Sequence, residues 1–308
     1  MKVSFIIPLY NCLAHTQVCL RTLQASLPQR LEHEIIFVDD GSTDGTRAWL
    51  AKECRAHVVI LNEKNLGYAG ANNRGATQAT GDLLLLINND LIFSPGWLEP
   101  MLALHQKLSR PGLIGNVQRD ARTGALDHTG IFFDHKGKPA HDRTFPLPSF
   151  LFAGYRTSPA VTGACMLVSA DLWRQLGGFD EGYRNGGEDI DLCLRAQHLG
   201  HINAVALRSS VRHHISASPG RKLNDEQNSR RLTQRWRHEI EHLSTRAWGW
   251  HFLSAHWGSA SDPTNPSEAL TTLLYCLHLR STPPAVVTNG ITAALDHELA
   301  RWKRLFAS

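Results

Sequence analysis

Four short polar stretches hold the residue types that could do chemistry, and three of them are acidic. Asp39-Asp40-Gly41-Ser42 follows the apolar run EIIFV, and Asn88-Asn89-Asp90 follows DLLLLI. Gly186-Gly187-Glu188-Asp189-Ile190-Asp191 opens a stretch with helical spacing, and Pro8-Leu9-Tyr10-Asn11 ends the run VSFII. A carboxylate beside a buried strand can accept a hydrogen bond from a pyrimidine ring N–H or a ribose hydroxyl. Asp40 through Asp44 could equally cap the helix that follows. Asn88-Asn89-Asp90 reads either as an Asx-turn or as part of a cation site that neutralises a leaving diphosphate. Acidic residues in a helix's first turn ordinarily offset its dipole, at ~0.3–1 kcal/mol. The same pattern could also supply a carboxylate base for an attacking hydroxyl, with Gly187 letting a sugar approach the backbone closely. Asp191 stands four residues before Arg195, the spacing of an ion pair along a helix. Trp173, with the turn Gly177-Gly178-Phe179-Asp180, offers either a sugar platform or a core side chain. Arg74, within the segment Gly67 to Gly75, could present its fork to a phosphate.

The elements that must position these residues are legible from the apolar runs. VSFIIPL, EIIFV, HVVIL and DLLLLI alternate with helix-like stretches beginning near Ala14, Thr43 and Gly67. Continuous apolar runs are strands buried on both faces, and their alternation with helices predicts βαβ units in a mostly parallel sheet. Such a sheet binds ligands at the C-terminal ends of its strands, where every polar stretch of the first half falls. A helix is predicted over Trp97 to Leu108, a hairpin-and-loop insertion over Asp120 to Pro159, and a strand over Ala164 to Val168. Further helices are expected from about Asp171 and from Asp189 to Leu199. Beyond Pro219 the chain turns helical and polar, with breaks at Asp262-Pro263-Thr264-Asn265-Pro266 and Thr282-Pro283-Pro284. The expected organisation is a catalytic domain over 1–218, divided near 118, and a helical extension over 219–308.

Composition narrows the function classes. With 308 residues and 42% apolar content the chain can build its own core. No apolar run approaches the ~18 residues of a spanning helix, and no signal-peptide layout opens the chain. The six cysteines show no metal spacing and are expected to be reduced thiols. The net charge of +4 is local, since Arg208 to Arg246 holds nine basic against four acidic residues. There, Leu232, Trp236, Ile240 and Leu243 form an apolar stripe among Arg230, Arg231, Arg235 and Arg237, expected to pack on the catalytic domain. No nucleic-acid motif accompanies the charge. A dinucleotide fold would place GxGxxG after the first strand, and a P-loop would have Lys-Ser/Thr where Ala76-Thr77 stands. Both are excluded.

Eight stretches, in order from Val3 to Ser218, resemble the family-two glycosyltransferases of GT-A fold, particularly the bacterial rhamnosyl- and galactofuranosyltransferase-like branch. They are VSFIIPLYN, VDDGSTDGT, NLGYAGANNRG, LLLLINND, TGACMLV, GGFDE, GGEDIDLCLRAQHLG and VRHHISAS. The resemblance implies that Asp39, with Asp40 beside it, reads the base, and that Pro8, Tyr10 and Asn11 line the nucleoside pocket. It places Gly67, Asn72, Asn73 and Arg74 around the nucleotide. Asn88-Asn89-Asp90 takes the position of the family's metal-binding DxD, with Asn88 replacing one carboxylate. Asp90 and the distant His213, favoured over His214 by the offset of Ser218, are then the metal ligands. A site of Asp, His, phosphate and water suits Mn²⁺ better than Mg²⁺. By the same resemblance Asp189 is the base and Glu188 a sugar ligand.

The expected function is inverting, metal-dependent transfer from a UDP- or dTDP-sugar, of rhamnose or hexose type. The acceptor is a saccharide or lipid-linked saccharide in cell-surface polysaccharide synthesis. The expected location is cytoplasmic, with at most a peripheral contact at the inner face of the membrane. Nucleotide-sugar pyrophosphorylases fail, because they begin with a Gly-rich basic loop where Pro8 to Asn11 stands. The alternative of another class is an inactive nucleotide- or sugar-binding partner subunit, suggested by Asn88 and opposed by the Glu188-Asp189 pair.

Overall fold

The computed structural model describes residues 1–214, 224–256 and 266–307. Ser218 and the break Asp262 to Asn265 lie outside the described residues, and Pro266 opens a helix. The chain forms two compact units, one of residues 1–131 and 141–225, the other of 132–140 and 226–308. The boundary expected near 218 thus falls at Asp225, and residues 132–140 group with the C-terminal helices.

The first unit begins with β1 (Val3–Leu9), α1 (Leu13–Ser26), β2 (His33–Asp39), α2 (Thr46–Glu53), β3 (Val58–Leu61), α3 (Gly67–Ala76) and β4 (Leu83–Ile87). It continues through β5 (Leu91–Ile92), α4 (Glu99–Lys107), β6 (Pro111–Asp120) and β7 (Leu126–His128); the small pair β8 (Ile131–Phe133) and β9 (Pro139–His141) follows, with most of its residues in the second unit. Then come α5 (Leu147–Phe152), β10 (Tyr155–Thr157), β11 (Cys165–Ser169), α6 (Ala170–Leu176), α7 (Glu188–His198) and β12 (Ile202–His213). The sheet order is β10-β12-β6-β11-β4-β1-β2-β3, with β5 added on β12 and β7 on β6. The four strands read from apolar runs are parallel to their neighbours. The sheet becomes mixed where β11 enters antiparallel between β4 and β6. The sequence reading passed over β6 and β12. β12 has only a short apolar run, Ala204 to Leu207, and then alternates buried and exposed residues through RSSVRH.

Register places the polar stretches. Leu9 pairs with Asp39 and Asp39 with Leu61, so β1, β2 and β3 end level and release Tyr10, Asp40 and Asn62 at one edge. Cys165 opposes Ile87, which sets Gly163 and Ala164 beside the turn after β4. His213 opposes both Leu91 and Asp120, which brings the end of β12 to the same turn. The helix α3 packs very close to the sheet, since a Cβ on Gly75 would sit 2.5 Å from Ile6 Cγ2 and 3.0 Å from Val38 Cγ2.

In the second unit α8 (Asp225–His256) is kinked at Trp236, and α9 (Pro266–Cys276) and α10 (Ala285–Leu305) follow. Leu232, Trp236 and Ile240 are buried. Ile240 and Leu295 close on Gly137, which has φ 73° and no room for a side chain. Phe252, Leu253, Tyr275, Cys276 and Val287 form a further apolar cluster.

At the opposite edge of the parallel strands, Glu34 ties β2 to the start of β4. Its carboxylate accepts from Ser4 Oγ at 2.5 Å, the Thr80 N–H at 2.7 Å and Lys2 Nζ at 3.1 Å. Partial burial pushes the carboxyl pKa up, but these donors outweigh it and hold the value at about 2. A depressed folded-state pKa contributes stability that is complete above the unfolded value of ~4.3 and disappears as pH falls toward the folded one. Between pH 4.5 and 2 the native chain should therefore lose more stability than Glu34→Gln, a difference readable from urea midpoints across that range.

Candidate functional site

The acidic pair at the end of β2 divides its work. Asp39 has no exposed surface. Its Oδ2 accepts from Arg47 Nε at 2.7 Å and the Ser42 N–H at 3.3 Å, while its Oδ1 is buried with no hydrogen-bond partner. Asp40 is occupied: Oδ1 accepts from Asn62 Nδ2 and the Leu66 N–H, both at 2.8 Å, and Oδ2 from the Gly67 N–H at 2.9 Å. Asp40 thus anchors the start of α3, and only Asp39 retains a free oxygen. The helix-capping role expected of Asp40 through Asp44 falls to Asp44, which accepts from Thr46 Oγ1 at 2.6 Å and the Leu13 N–H at 2.9 Å.

The loop after β1 is fixed against this turn. Asn11, in the left-handed region at φ 57°, donates its N–H to Ser42 Oγ at 2.8 Å and accepts from the Thr43 N–H at 2.7 Å. Pro8 is partly buried, and Tyr10, 52% exposed, opens to solvent. Asn72 is buried with its Oδ1 unpartnered, and its Nδ2 donates to Tyr68 O at 2.9 Å. Arg74 does not join this cluster. It lies exposed in the last turn of α3, about 10 Å of helix from Gly67 at ~1.5 Å per residue.

The turn after β4 supplies the second centre. The Asn88 N–H donates to Ala164 O at 2.9 Å, and Asn89 Nδ2 donates to Thr16 Oγ1 at 2.9 Å. Asp90 Oδ1 lies 3.2 Å from His213 Nε2, and both side chains are largely buried. Apart from that contact Asp90 Oδ1 meets no hydrogen-bond donor, and His213 Nδ1 makes no hydrogen bond. Two ligands at ~2.1 Å from one ion, set at right angles, lie ~3 Å apart, so this spacing fits a shared divalent ion. His214 turns away to face the His15 ring at 4.5 Å. Among the described residues no group of three or more His, Cys, Asp or Glu could hold a metal ion. A cation here therefore requires ligands beyond the described His, Cys, Asp and Glu side chains.

The third centre is the start of α7, where Gly187 has φ 94°. Glu188 is buried, and its Oε2 accepts from the Gly186 N–H at 2.7 Å. Asp189 Oδ2 accepts from the Gly163 N–H at 2.8 Å, and its Oδ1 from the Ile190 N–H at 2.9 Å. Tyr68, which the sequence reading did not single out, links these parts. Its hydroxyl donates to Gly163 O at 2.6 Å and its N–H to Asn185 Oδ1 at 3.1 Å. Burial and the neighbouring charges of Glu188 and Asp189 raise its pKa well above the usual tyrosine range, so it remains a hydrogen-bond donor. The signal for it was an aromatic directly after the positive-φ Gly67 within NLGYAG.

Asp191 forms the expected pair with Arg195, Oδ2 to Nε 2.8 Å. Arg195 also donates to Leu176 O and Gly178 O, tying the Gly177 to Asp180 turn to α7. Trp173 is not a sugar platform. It is 6% exposed, with its ring edge-on to Phe179 at 5.1 Å, and serves as a core side chain.

Three polar centres along the strand-end edge, each on a matching motif, meet a family assignment over most of the first unit. The description "Glycosyl transferase family 2" matches residues 4–176. The chain belongs to glycosyl transferase family 2. This glycosyltransferase is 30% identical over 229 residues to the O-antigen biosynthesis protein RfbC of Myxococcus xanthus, covering 70% of the chain and 18% of that protein. It is 27% identical over 214 residues to N-acetylglucosaminyl-diphospho-decaprenol L-rhamnosyltransferase of Mycobacterium tuberculosis, covering 61% and 68%. The chain spans less than a third of the length of two of the curated relatives it matches. In fold it is similar to GalNAc-T7, solved with UDP, GalNAc and Mn²⁺. The TM-score is 0.64 at 17% identity, covering 88% of this chain and 54% of that one. The architecture is GT-A, a mixed α/β sheet flanked by helices and followed by C-terminal helices.

The division between Asp39 and Asp40 has a measurable consequence for this family 2 enzyme. In Asp40→Asn an amide NH₂ must face the Leu66 or Gly67 N–H, and a buried donor left unmet costs ~1–3 kcal/mol. In Asp39→Asn the amide oxygen can keep the Arg47 and Ser42 contacts while the NH₂ replaces an oxygen that already lacks a hydrogen bond, so no donor is set against a donor and the cost should be smaller. Guanidinium unfolding of both variants tests this, and equal midpoints would contradict it.

Proposed function

We propose that this chain transfers a sugar from a nucleotide diphosphate to a saccharide or lipid-linked saccharide acceptor, with inversion at the anomeric carbon. The observation that carries the reading lies at the ends of β2 and β4, where Asp39 and Asp90 are buried carboxylates with an oxygen that no hydrogen bond satisfies. Unmet buried acceptors are costly, so both are groups in wait of a ligand. Asp39, held by Arg47, accepts from a uracil or thymine N–H or from a ribose hydroxyl. The loop Pro8 to Asn11 borders that pocket, with Gly67 and Asn72 beyond it.

Asp90 and His213 would hold a divalent ion, with Asn88 and Asn89 beside them. When bound, such an ion offsets the charge of the departing diphosphate. With one imidazole and one carboxylate the set favours Mn²⁺ over Mg²⁺. Asp189 takes the proton from the acceptor hydroxyl as that oxygen bonds to the anomeric carbon and the bond to the diphosphate breaks. The Gly163 and Ile190 N–H groups aim its carboxylate and favour its ionised form, and Glu188 with Gly187 receives the acceptor sugar. Among the described residues no second carboxylate is assigned as a covalent nucleophile, which supports inversion. The proposed donor is rhamnosyl or hexosyl and the proposed setting cell-surface polysaccharide synthesis at the cytoplasmic side; the names of the Myxococcus and Mycobacterium relatives, O-antigen biosynthesis and L-rhamnosyl transfer, support the rhamnosyl donor and the polysaccharide. Against an inactive binding subunit stands the fixed aim of Asp189, which binding alone does not require.

Asp189→Asn should keep UDP affinity and lower turnover by ~10²–10⁴. Near-normal turnover would remove Asp189 as the base, and a product of retained configuration by NMR would remove inversion. In calorimetry, Asp90→Ala and His213→Ala should each weaken Mn²⁺-dependent UDP binding, and Asn88→Asp should strengthen it. UDP binding by the native chain that ignores Mn²⁺ would refute the ion site.

A further inference from the structure

The segment from Arg143 to Arg156 has the makeup of a surface that meets lipid. It holds Phe145, Leu147, Phe150, Leu151, Phe152 and Tyr155 and contains no acidic residue, while its terminal arginines are paired outside it, Arg143 with Asp127 at 3.0 Å and Arg156 with Asp142 at 2.8 Å. Its helix α5 buries none of its residues. Leu147 is 54% exposed, Leu151 60%, Phe152 91% and the neighbouring Phe145 38%. Single exposed apolar side chains are ordinary, whereas four within eight residues form a patch that soluble surfaces avoid unless it binds something.

Cations surround that patch. The Arg208 guanidinium lies 5.9 Å from the Phe150 ring centre and the Lys107 ammonium 4.9 Å from that of Tyr155. Both side chains are exposed, and among the described residues neither is paired with a carboxylate. Apolar and aromatic residues flanked by unmatched positive charge complement an anionic headgroup layer, with the rings in the acyl boundary and the cations among the phosphates. An apolar protein partner would not call for the cations. The basic stretch of α8 lacks the apolar half of this arrangement, because Leu232, Trp236 and Ile240 are already buried.

We propose that α5 is an interfacial anchor that seats this enzyme on an anionic bilayer. No helix among the described residues is long and apolar enough to cross one, so the contact is peripheral. The topology makes the position useful. Tyr155 pairs with Ala206 antiparallel, so the chain enters β10 from the end toward which β12 runs, the edge that carries His213. The inference concerns where the protein sits and does not rest on the proposed reaction.

The test is co-sedimentation of the full chain with phosphatidylcholine vesicles, with and without phosphatidylglycerol, at low and high salt. The expected result is binding to the anionic vesicles that weakens with salt. The double variant Leu151→Ser/Phe152→Ser should weaken it by about tenfold or more, as should Lys107→Glu/Arg208→Glu. All four positions are exposed, and an unchanged melting temperature will show that the fold is kept. Arg235→Glu in α8 should bind as the native chain does. The proposal is overturned by a native chain that ignores anionic vesicles, or by serine variants that bind them equally. An equal loss from Arg235→Glu, or a dimer that the serine variants convert to monomer, would overturn it as well.

Discussion

A parallel sheet covered on both faces cannot hold polar side chains in its middle, because each would lose its water with nothing to replace it. The strands β1, β2 and β4 obey this strictly, with runs of buried aliphatic and aromatic residues. In these strands the polar residues of the site are therefore confined to the ends, and the pairing of Leu9 with Asp39 and of Asp39 with Leu61 makes the ends of β1, β2 and β3 level. The nucleotide-side half of the candidate site follows from that alignment. Asp39, Asp40, Asn62 and the turn Asn88 to Asp90 are neighbours because strands of matched register stop together.

Within this edge, carboxylates of the same kind take different tasks according to what their hydrogen bonds leave free. Asp40 spends its oxygens on Asn62, Leu66 and Gly67 and holds the start of α3. Asp191 is spent on Arg195, which in turn fixes the turn before α7. Asp39 and Asp90 each keep one oxygen without a hydrogen bond, that of Asp90 facing His213 Nε2 at 3.2 Å. Asp189 lies between these extremes, aimed by two backbone N–H groups while remaining only partly buried. Tyr68 enforces the aim from the other side by holding Gly163 O.

The apolar surfaces sort in a comparable way. In the second unit the stripe of α8 is consumed by packing, with Ile240 and Leu295 meeting over Gly137. In the first unit α5 keeps its apolar side chains in solvent, among unmatched cations. Of the two segments only α5 has its apolar side chains left over.

What the sequence by itself determined is local. The runs VSFII, EIIFV and DLLLLI could be nothing but buried strands, and the motifs after them named Asp39, Asp90 and Asp189 in advance. The pair of Asp191 with Arg195 was legible because four residues is one turn of helix. What only the tertiary structure decided depends on partners distant in the chain. β12 escaped notice because its side chains alternate and its neighbour is β6, and its His213 meets Asp90 solely through the register of β12 with β5. Whether Asp40 or Asp39 keeps a free oxygen rests on where Leu66 and Gly67 return to the sheet. Trp173 became core and Arg74 fell outside the site for the same reason. Spacing along the chain names a side chain's type and its local face, but the groups that satisfy it arrive from elsewhere, and they are set by packing and register.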